Sequence, residues 1–145
     1  MNRTIQADLY RYEGETSLLK GLRTPGFRYM FFHRKASMHK KYSPMGILYQ
    51  LIIRRLSHKF GFQISVSTSI GEGFYIGHFG TIVVSGKTKI GNNCNIAHTT
   101  TIGQASRGKR KGNPTIGDYV WIGTGTVIVG NIHIGSNVLI APNSF

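Results

Sequence analysis

From residue 64 onward an isoleucine returns every six residues. It stands at 64, 70, 76 and 82, at 90, 96 and 102, and at 116, 122, 128, 134 and 140, with Gly or Ala next in most units. A period of six is neither the 3.6 of a helix nor the 2 of a half-buried strand. It suits a short strand plus a turn, three of which close one triangular coil. The fifth position of each unit is mostly small or β-branched, as at Cys94, Thr100, Val120, Thr126, Ile132, Val138 and Ser144. Both positions are expected to point inward.

Three units per coil arrange the isoleucines in columns: Ile64/Ile82/Ile102/Ile128, Ile70/Ile90/Ile116/Ile134 and Ile76/Ile96/Ile122/Ile140. The period breaks twice, by two extra residues between Ile82 and Ile90 and by eight between Ile102 and Ile116. In this register both insertions leave from one corner, a coil apart. The longer, "GQASRGKRKGNPT", is rich in Gly and cations and is expected to protrude, since a six-residue wall cannot absorb it.

Residues 1–63 lack the repeat and read as a helical leader, with turns at "RTPG" (23–26) and "YSPMG" (42–46). The division expected is a leader over 1–63 and a coiled domain over 64–145, with a protruding loop at 103–115. In segment 47–60, Ile47, Leu48, Leu51, Ile52, Leu56 and Phe60 fall at helical spacing, with Arg54, Arg55 and Lys59 toward the other side. That describes a helix packed on the first coil, or a basic amphipathic surface on an anionic membrane.

At 145 residues one domain is expected. Eighteen Lys and Arg against five Asp and Glu give a charge of +13, which favours polyanions: nucleic acid, anionic lipid, acidic glycan or a phosphorylated cofactor. Base-stacking aromatics are not interleaved with the cations in any nucleic-acid motif, so no nucleic-acid partner is expected and a basic nucleic-acid module is a remote alternative. A single cysteine, Cys94, excludes an internal disulfide, and its inward position makes it core. The start "MNRTIQADLYRY" offers no apolar signal core, and the longest apolar run, 46–53, is short of the ~20 residues that cross a bilayer. A cytoplasmic protein is expected, including one at the inner face of the membrane.

His78 lies two residues after Ile76 and His98 two residues after Ile96. They should share a corner on neighbouring coils about 4.8 Å apart, stacked, each opposing protonation of the other. A neutral imidazole at a cleft suits a general base that takes a proton from a hydroxyl attacking an activated acyl group. A plain polar ladder at a corner is the alternative. His133 falls in another column and no third ligand stands at metal-site spacing, so no metal is expected. Tyr119 and Trp121 flank inward Val120 and should point outward, at a subunit interface or simply covering the wall.

"IGHFGTIVVSGKTKIGNNCNIAHTTTIG", the basic loop and "PTIGDYVWIGTGTVIVGNIHIGSNVLIAPNS" closely resemble the serine acetyltransferase branch of the hexapeptide acyltransferases. The leader "ADLYRYEGETSLLKGLRTPGFRYMFFHRKA" looks like the shortened helical segment of its polysaccharide-biosynthesis members, the capsule and colanic-acid types. The resemblance implies a left-handed parallel β-helix and a homotrimer with acetyl-CoA, and no metal, in the groove between neighbouring coils. His78 then matches the catalytic histidine, with His98 in support. Gly103 and Gln104 match the family's Gly-Gly at the loop entrance, and Thr124 and Gly125 the start of its "IGA.A" unit. Thr124 and Pro142 continue the His78/His98 column. Lys109, Arg110 and Lys111 offer charge to CoA phosphates or an acidic acceptor, or stay solvated.

Three positions depart from the family. An aspartate before the catalytic histidine is Gly77 here, an orienting carboxylate ahead of the repeats is Gln63, and a histidine ending the loop is Asn113. An amino-acid acceptor brings an α-ammonium that needs a carboxylate, and the repeat region has only Glu72 and Asp118. The expectation is therefore acetyl transfer to a sugar hydroxyl of a surface polysaccharide or its lipid-linked precursor, with L-serine as the alternative and peripheral membrane contact in view. Orientation of His78 falls to a backbone carbonyl, Gln63 or Glu72. The chain stops at Phe145 in mid-coil where family members continue, so truncation is expected, with loss of part of the cofactor site.

Overall fold

Four helices lead into twelve short strands in the computed structural model, which describes residues 2–145. The helices are α1 (Arg3–Tyr10), α2 (Leu18–Gly21), α3 (Pro25–Ser37) and α4 (Pro44–Phe60). The strands are β1 (Phe62–Ile64), β2 (Ser69–Ile70), β3 (Tyr75–Ile76), β4 (Ile82–Val84), β5 (Lys89–Ile90), β6 (Asn95–Ile96), β7 (Thr100–Gly103), β8 (Thr115–Ile116), β9 (Trp121–Ile122), β10 (Val127–Val129), β11 (His133–Ile134) and β12 (Leu139–Ile140). They form three four-stranded parallel sheets: β1-β4-β7-β10, β2-β5-β8-β11 and β3-β6-β9-β12. This is the three-walled coil of a left-handed parallel β-helix, as expected.

Two of the three isoleucine columns stand as read. Ile70, Ile90, Ile116 and Ile134 are paired in register, and so are Ile76, Ile96, Ile122 and Ile140. The third does not. Ile64 pairs with Val84, Val84 with Ile102 and Ile102 with Ile128, whereas Ile82 pairs with Phe62 and Thr100. Valine fills the inward position as well as isoleucine does, and two residues earlier on the same strand Ile82 also faces the core. The two extra residues therefore fall before Val84, in the corner after β3, and Thr88 rather than Gly86 takes the next inward position.

The two insertions accordingly leave from different corners. Residues 77–81 join the β3 sheet to the β1 sheet, and the long loop joins the β1 sheet to the β2 sheet. The loop folds back on itself through an antiparallel bridge between Ala105 and Gly112, and Asn131 N–H donates to Arg110 O at 2.8 Å.

The leader is fastened to the first coil by buried polar contacts. Arg34 on α3 meets Asp8 on α1 through Nε–Oδ2 at 2.9 Å and Nη2–Oδ1 at 3.2 Å, and its other donors reach the carbonyls of Ile70 and Gly71. Asp8 Oδ1 also accepts from Phe74 N–H at 2.9 Å. The Tyr12 hydroxyl donates to Ile76 O at 3.2 Å and accepts from Ile76 N–H at 3.3 Å, and burial pushes that phenol's pKa up.

Helix α4 starts where the sequence provides a cap, with Ser43 Oγ accepting from Gly46 N–H at 3.1 Å and Pro44 in the first turn. Ile53, Leu56 and Phe60 are buried and Tyr49 and Ile52 pack beside them. Ile47, Leu48 and Leu51, read from the sequence as part of that buried stripe, face outward instead. Placing Tyr49, Ile53, Leu56 and Phe60 inward at 100° per residue puts 47, 48 and 51 on the far side.

Candidate active site

The corner after β3 carries His78 and the same corner one coil on, after β6, carries His98. Their ring centroids are 5.8 Å apart, with planes at 89°. The shared corner is as expected; the stacking is not. The two rings meet edge to face, and the five residues 77–81 take a longer path than the corresponding turn after β6.

The second half of that path is held by the end of α4 and the glycine that follows it. Gly80 N–H donates to Phe60 O at 2.9 Å and Ile82 N–H to Gly61 O at 3.0 Å. Gly80 lies at φ +139°, and a Cβ there would stand 3.1 Å from His98 Cβ. The corner thus rests directly on the second imidazole, an arrangement open only to glycine. Phe79 beside it faces solvent.

His78 is exposed and His98 half-buried. His98 Nδ1 is closed off from solvent and has no hydrogen-bond partner. A buried polar atom left unpaired costs about 1–3 kcal/mol, and such exceptions call for a reason beyond packing. Among the described residues no side chain hydrogen-bonds to either ring. Glu72, one candidate to orient His78, is instead paired with Arg3 at 3.1 Å, at the corner before β3.

Above His98 the corner continues with small residues. Gly125 N–H donates to His98 O at 3.2 Å and Asn143 N–H to Thr124 O at 2.7 Å, which brings Thr124, Gly125 and Pro142 into line over the two histidines. Gln63, Gly103 and Gln104 collect elsewhere. They line a depression of about 460 Å³ on the β1 sheet, together with Ser57, Val83 and Ser85. Asn113 joins it from the loop end, its Oδ1 accepting from Ser85 Oγ at 2.7 Å. Lys109 sits exposed at the loop tip and does not line that depression.

Gly77 is more than a missing carboxylate. A Cβ there would lie 3.1 Å from the Tyr75 ring. That ring packs on Tyr12 at 4.6 Å and borders a depression of about 320 Å³ lined also by Glu13, Glu15 and Lys20. Tyr12, Tyr75 and Gly80 were not singled out in the sequence. Only Gly80 carried a signal, as a second glycine after Gly77 in a corner two residues longer than its neighbours. Tyr119 and Trp121 point outward as read, and Cys94 is buried, its thiol pKa raised chiefly by burial.

The family description "Bacterial transferase hexapeptide (six repeats)" matches residues 113–145. The serine acetyltransferase of Helicobacter pylori (strain ATCC 700392 / 26695) is 32% identical over 150 residues, spanning 99% of this chain and 82% of that protein. The chain belongs to the serine acetyltransferase family. Its fold follows suit: the serine acetyltransferase of Brucella abortus strain S19, solved in complex with coenzyme A, superposes with a TM-score of 0.76 at 27% identity, over 98% of this chain and 57% of that one. The chain spans about half the length of some curated relatives it matches, for example 50% of the Staphylococcus epidermidis serine acetyltransferase, to which it is 37% identical over 107 residues.

Proposed function

We propose that this protein is an acetyl-CoA-dependent O-acetyltransferase in which His78 takes the proton of an acceptor hydroxyl as that oxygen attacks the thioester carbonyl, and returns it to the coenzyme A thiolate released when the C–S bond breaks. The observation that carries the reading is the imidazole pair at one open corner, 5.8 Å between ring centres, with His98 Nδ1 buried and unpartnered. His78 is exposed and positioned to meet an acceptor, and His98 supports it from the next coil. The small residues Thr124, Gly125 and Pro142 leave a clear run beside that corner for the pantetheine arm of acetyl-CoA. Coenzyme A bound to the Brucella relative supports the choice of cosubstrate. That run has one wall in a single chain, and we propose a homotrimer in which a neighbour supplies the other.

For the acceptor, the relatives' names favour L-serine over a sugar. The leader also brings carboxylates near: Glu13 and Glu15 border the depression next to Tyr75, whose ring covers Gly77. One observation favours a second reading, a saccharide hydroxyl. Gly77, Gln63 and Asn113 put no charge at the positions where the family has two carboxylates and an imidazole, and Glu72 is engaged by Arg3.

The test is acetyl-CoA turnover by the full chain against L-serine and a panel of nucleotide sugars and oligosaccharides. Serine turnover is expected, and replacement of His78 by alanine should lower it ~10²–10⁴-fold with coenzyme A binding retained. Turnover of saccharides alone would transfer the acceptor assignment to the second reading. Full activity of His78→Ala would refute the mechanism under both.

A further inference from the structure

The outward face of α4 is divided in two along its length. Ile47, Leu48 and Leu51 are exposed at 48%, 47% and 59%, and Met45 in the first turn, at 43%, and Tyr42 just before the helix, at 81%, extend the apolar area. One to two turns on, the same face carries Arg54, Arg55, His58 and Lys59, all exposed. Lys40 and Lys41 close the other end. Their turn is pinned alongside the helix by Gln50 Nε2, which donates to Lys41 O at 2.7 Å and to Gly46 O at 3.2 Å.

No acid balances these cations. The five carboxylates are Asp8, Glu13, Glu15, Glu72 and Asp118, so residues 16–71 contain none, against ten Lys and Arg. Aliphatic side chains ringed by unbalanced cations match an interface that is apolar inside and anionic at its rim. A second copy of this chain would set Arg54, Arg55 and Lys59 against cations of its own kind. A nucleic-acid backbone would accept the cations but leave Ile47, Leu48 and Leu51 unpartnered.

We propose that the outward face of α4, with the turn before it, docks on an anionic lipid bilayer. No described helix is long and apolar enough to cross a membrane, so the contact is peripheral, with the aliphatic residues entering the headgroup boundary and the cations meeting lipid phosphates. The proposal does not depend on the activity. Its consequence does bear on the candidate site, because α4 ends on the corner that carries His78, through Gly80 N–H to Phe60 O. Docking sets where that corner stands relative to the bilayer.

Flotation of the full chain with phosphatidylcholine vesicles, with and without about 30% phosphatidylglycerol, tests it. Binding is expected only with phosphatidylglycerol, and is expected to weaken as salt rises. Arg54→Gln together with Arg55→Gln should lower the partition coefficient about 25-fold, about fivefold per cation. Leu48→Gln together with Leu51→Gln should lower it more than tenfold while leaving the light-scattering mass and circular dichroism unchanged, since both side chains are already in solvent. Equal binding to neutral vesicles, or indifference to both pairs of substitutions, overturns the proposal. A mass that falls in the leucine variant gives the face to a second copy. Retention on duplex DNA that survives the leucine changes, with no vesicle binding, gives the cations to nucleic acid.

Discussion

Replacing Gly80 by alanine adds one methyl group at the place where the long corner rests on His98. Two separate costs follow. The backbone lies at φ +139°, a region nearly reserved for glycine, and holding a side chain there costs of order 1–3 kcal/mol. The new Cβ would also stand 3.1 Å from His98 Cβ, so one of the two must give by a few tenths of an ångström. His98 is poorly placed to yield, since its carbonyl is held by Gly125 N–H at 3.2 Å and the next residue, Thr99, is itself at φ +59°. Gly80 is tied by its own N–H to Phe60 O. The displacement therefore passes to the imidazole pair. Misplacement of a catalytic group by about 1 Å can cost ~10²-fold, and a few tenths should cost on the order of tenfold in kcat.

Gly108→Ala is the control. It too has positive φ, +80°, yet a Cβ there meets nothing within 4 Å. Urea denaturation and steady-state turnover of both variants separate backbone strain from pressure on His98. Gly80→Ala is expected to lose more stability than Gly108→Ala and to lose kcat, with Gly108→Ala near wild type in turnover. If the two lose stability equally and Gly80→Ala keeps full turnover, the corner does not rest on His98 in the way described.

The fastening of the leader gives a second prediction. Asp8→Ala strands the Arg34 guanidinium in a site where the two side chains are 1% and 8% exposed, and should cost about 3–5 kcal/mol in urea denaturation; a loss under ~1 kcal/mol would show the pair to be dispensable. His33 gives a pH dependence. Burial is the main cause holding its pKa below the usual value, with Nε2–H donating to Ser65 O at 2.9 Å and Nδ1 unpartnered, so the folded state binds its proton less readily than the unfolded chain. That stabilisation is fully present above the unfolded pKa of about 6.5 and is lost as pH falls through the lower, folded value. The urea midpoint should therefore drop on the acid side of about pH 6.5, and His33→Asn should flatten that limb; an unchanged limb would assign the acid sensitivity to other groups.

Much of the coil was legible because a solenoid wall repeats one requirement. At each turn the inward position wants a branched aliphatic, and the isoleucines record that demand without reference to distant residues. The histidines were placed correctly for the same reason, each counted two residues from its own isoleucine. What misled was chemistry the wall does not distinguish. Val84 serves as well as Ile82, so counting isoleucines alone moved the two extra residues to the wrong side of β4. On α4, six apolar residues at near-helical spacing covered more than one face: Ile52, Leu56 and Phe60 pack inward together with Tyr49 and Ile53, while Ile47, Leu48 and Leu51 do not. The leader's fastenings, Asp8 to Arg34 and Tyr12 to Ile76, join residues 26 and 64 apart and leave no local trace.

The misplaced insertion matters more than its size suggests. Parallel strands in such a wall are tied residue by residue to the coils on either side, so extra chain can be taken up only at a corner. Here it is taken up at the corner that carries His78, where residues 77–81 leave the ladder that fixes Ile76 below and Val84 above. The His78 imidazole stands edge-on to His98 and is exposed, and Gly80 of the same corner lies against His98 Cβ. The two extra residues carry the chain far enough for Gly80 N–H to reach Phe60 O. A departure from the repeat thus ties the corner of the candidate base to α4, whose outer face is exposed, at the place where the period fails.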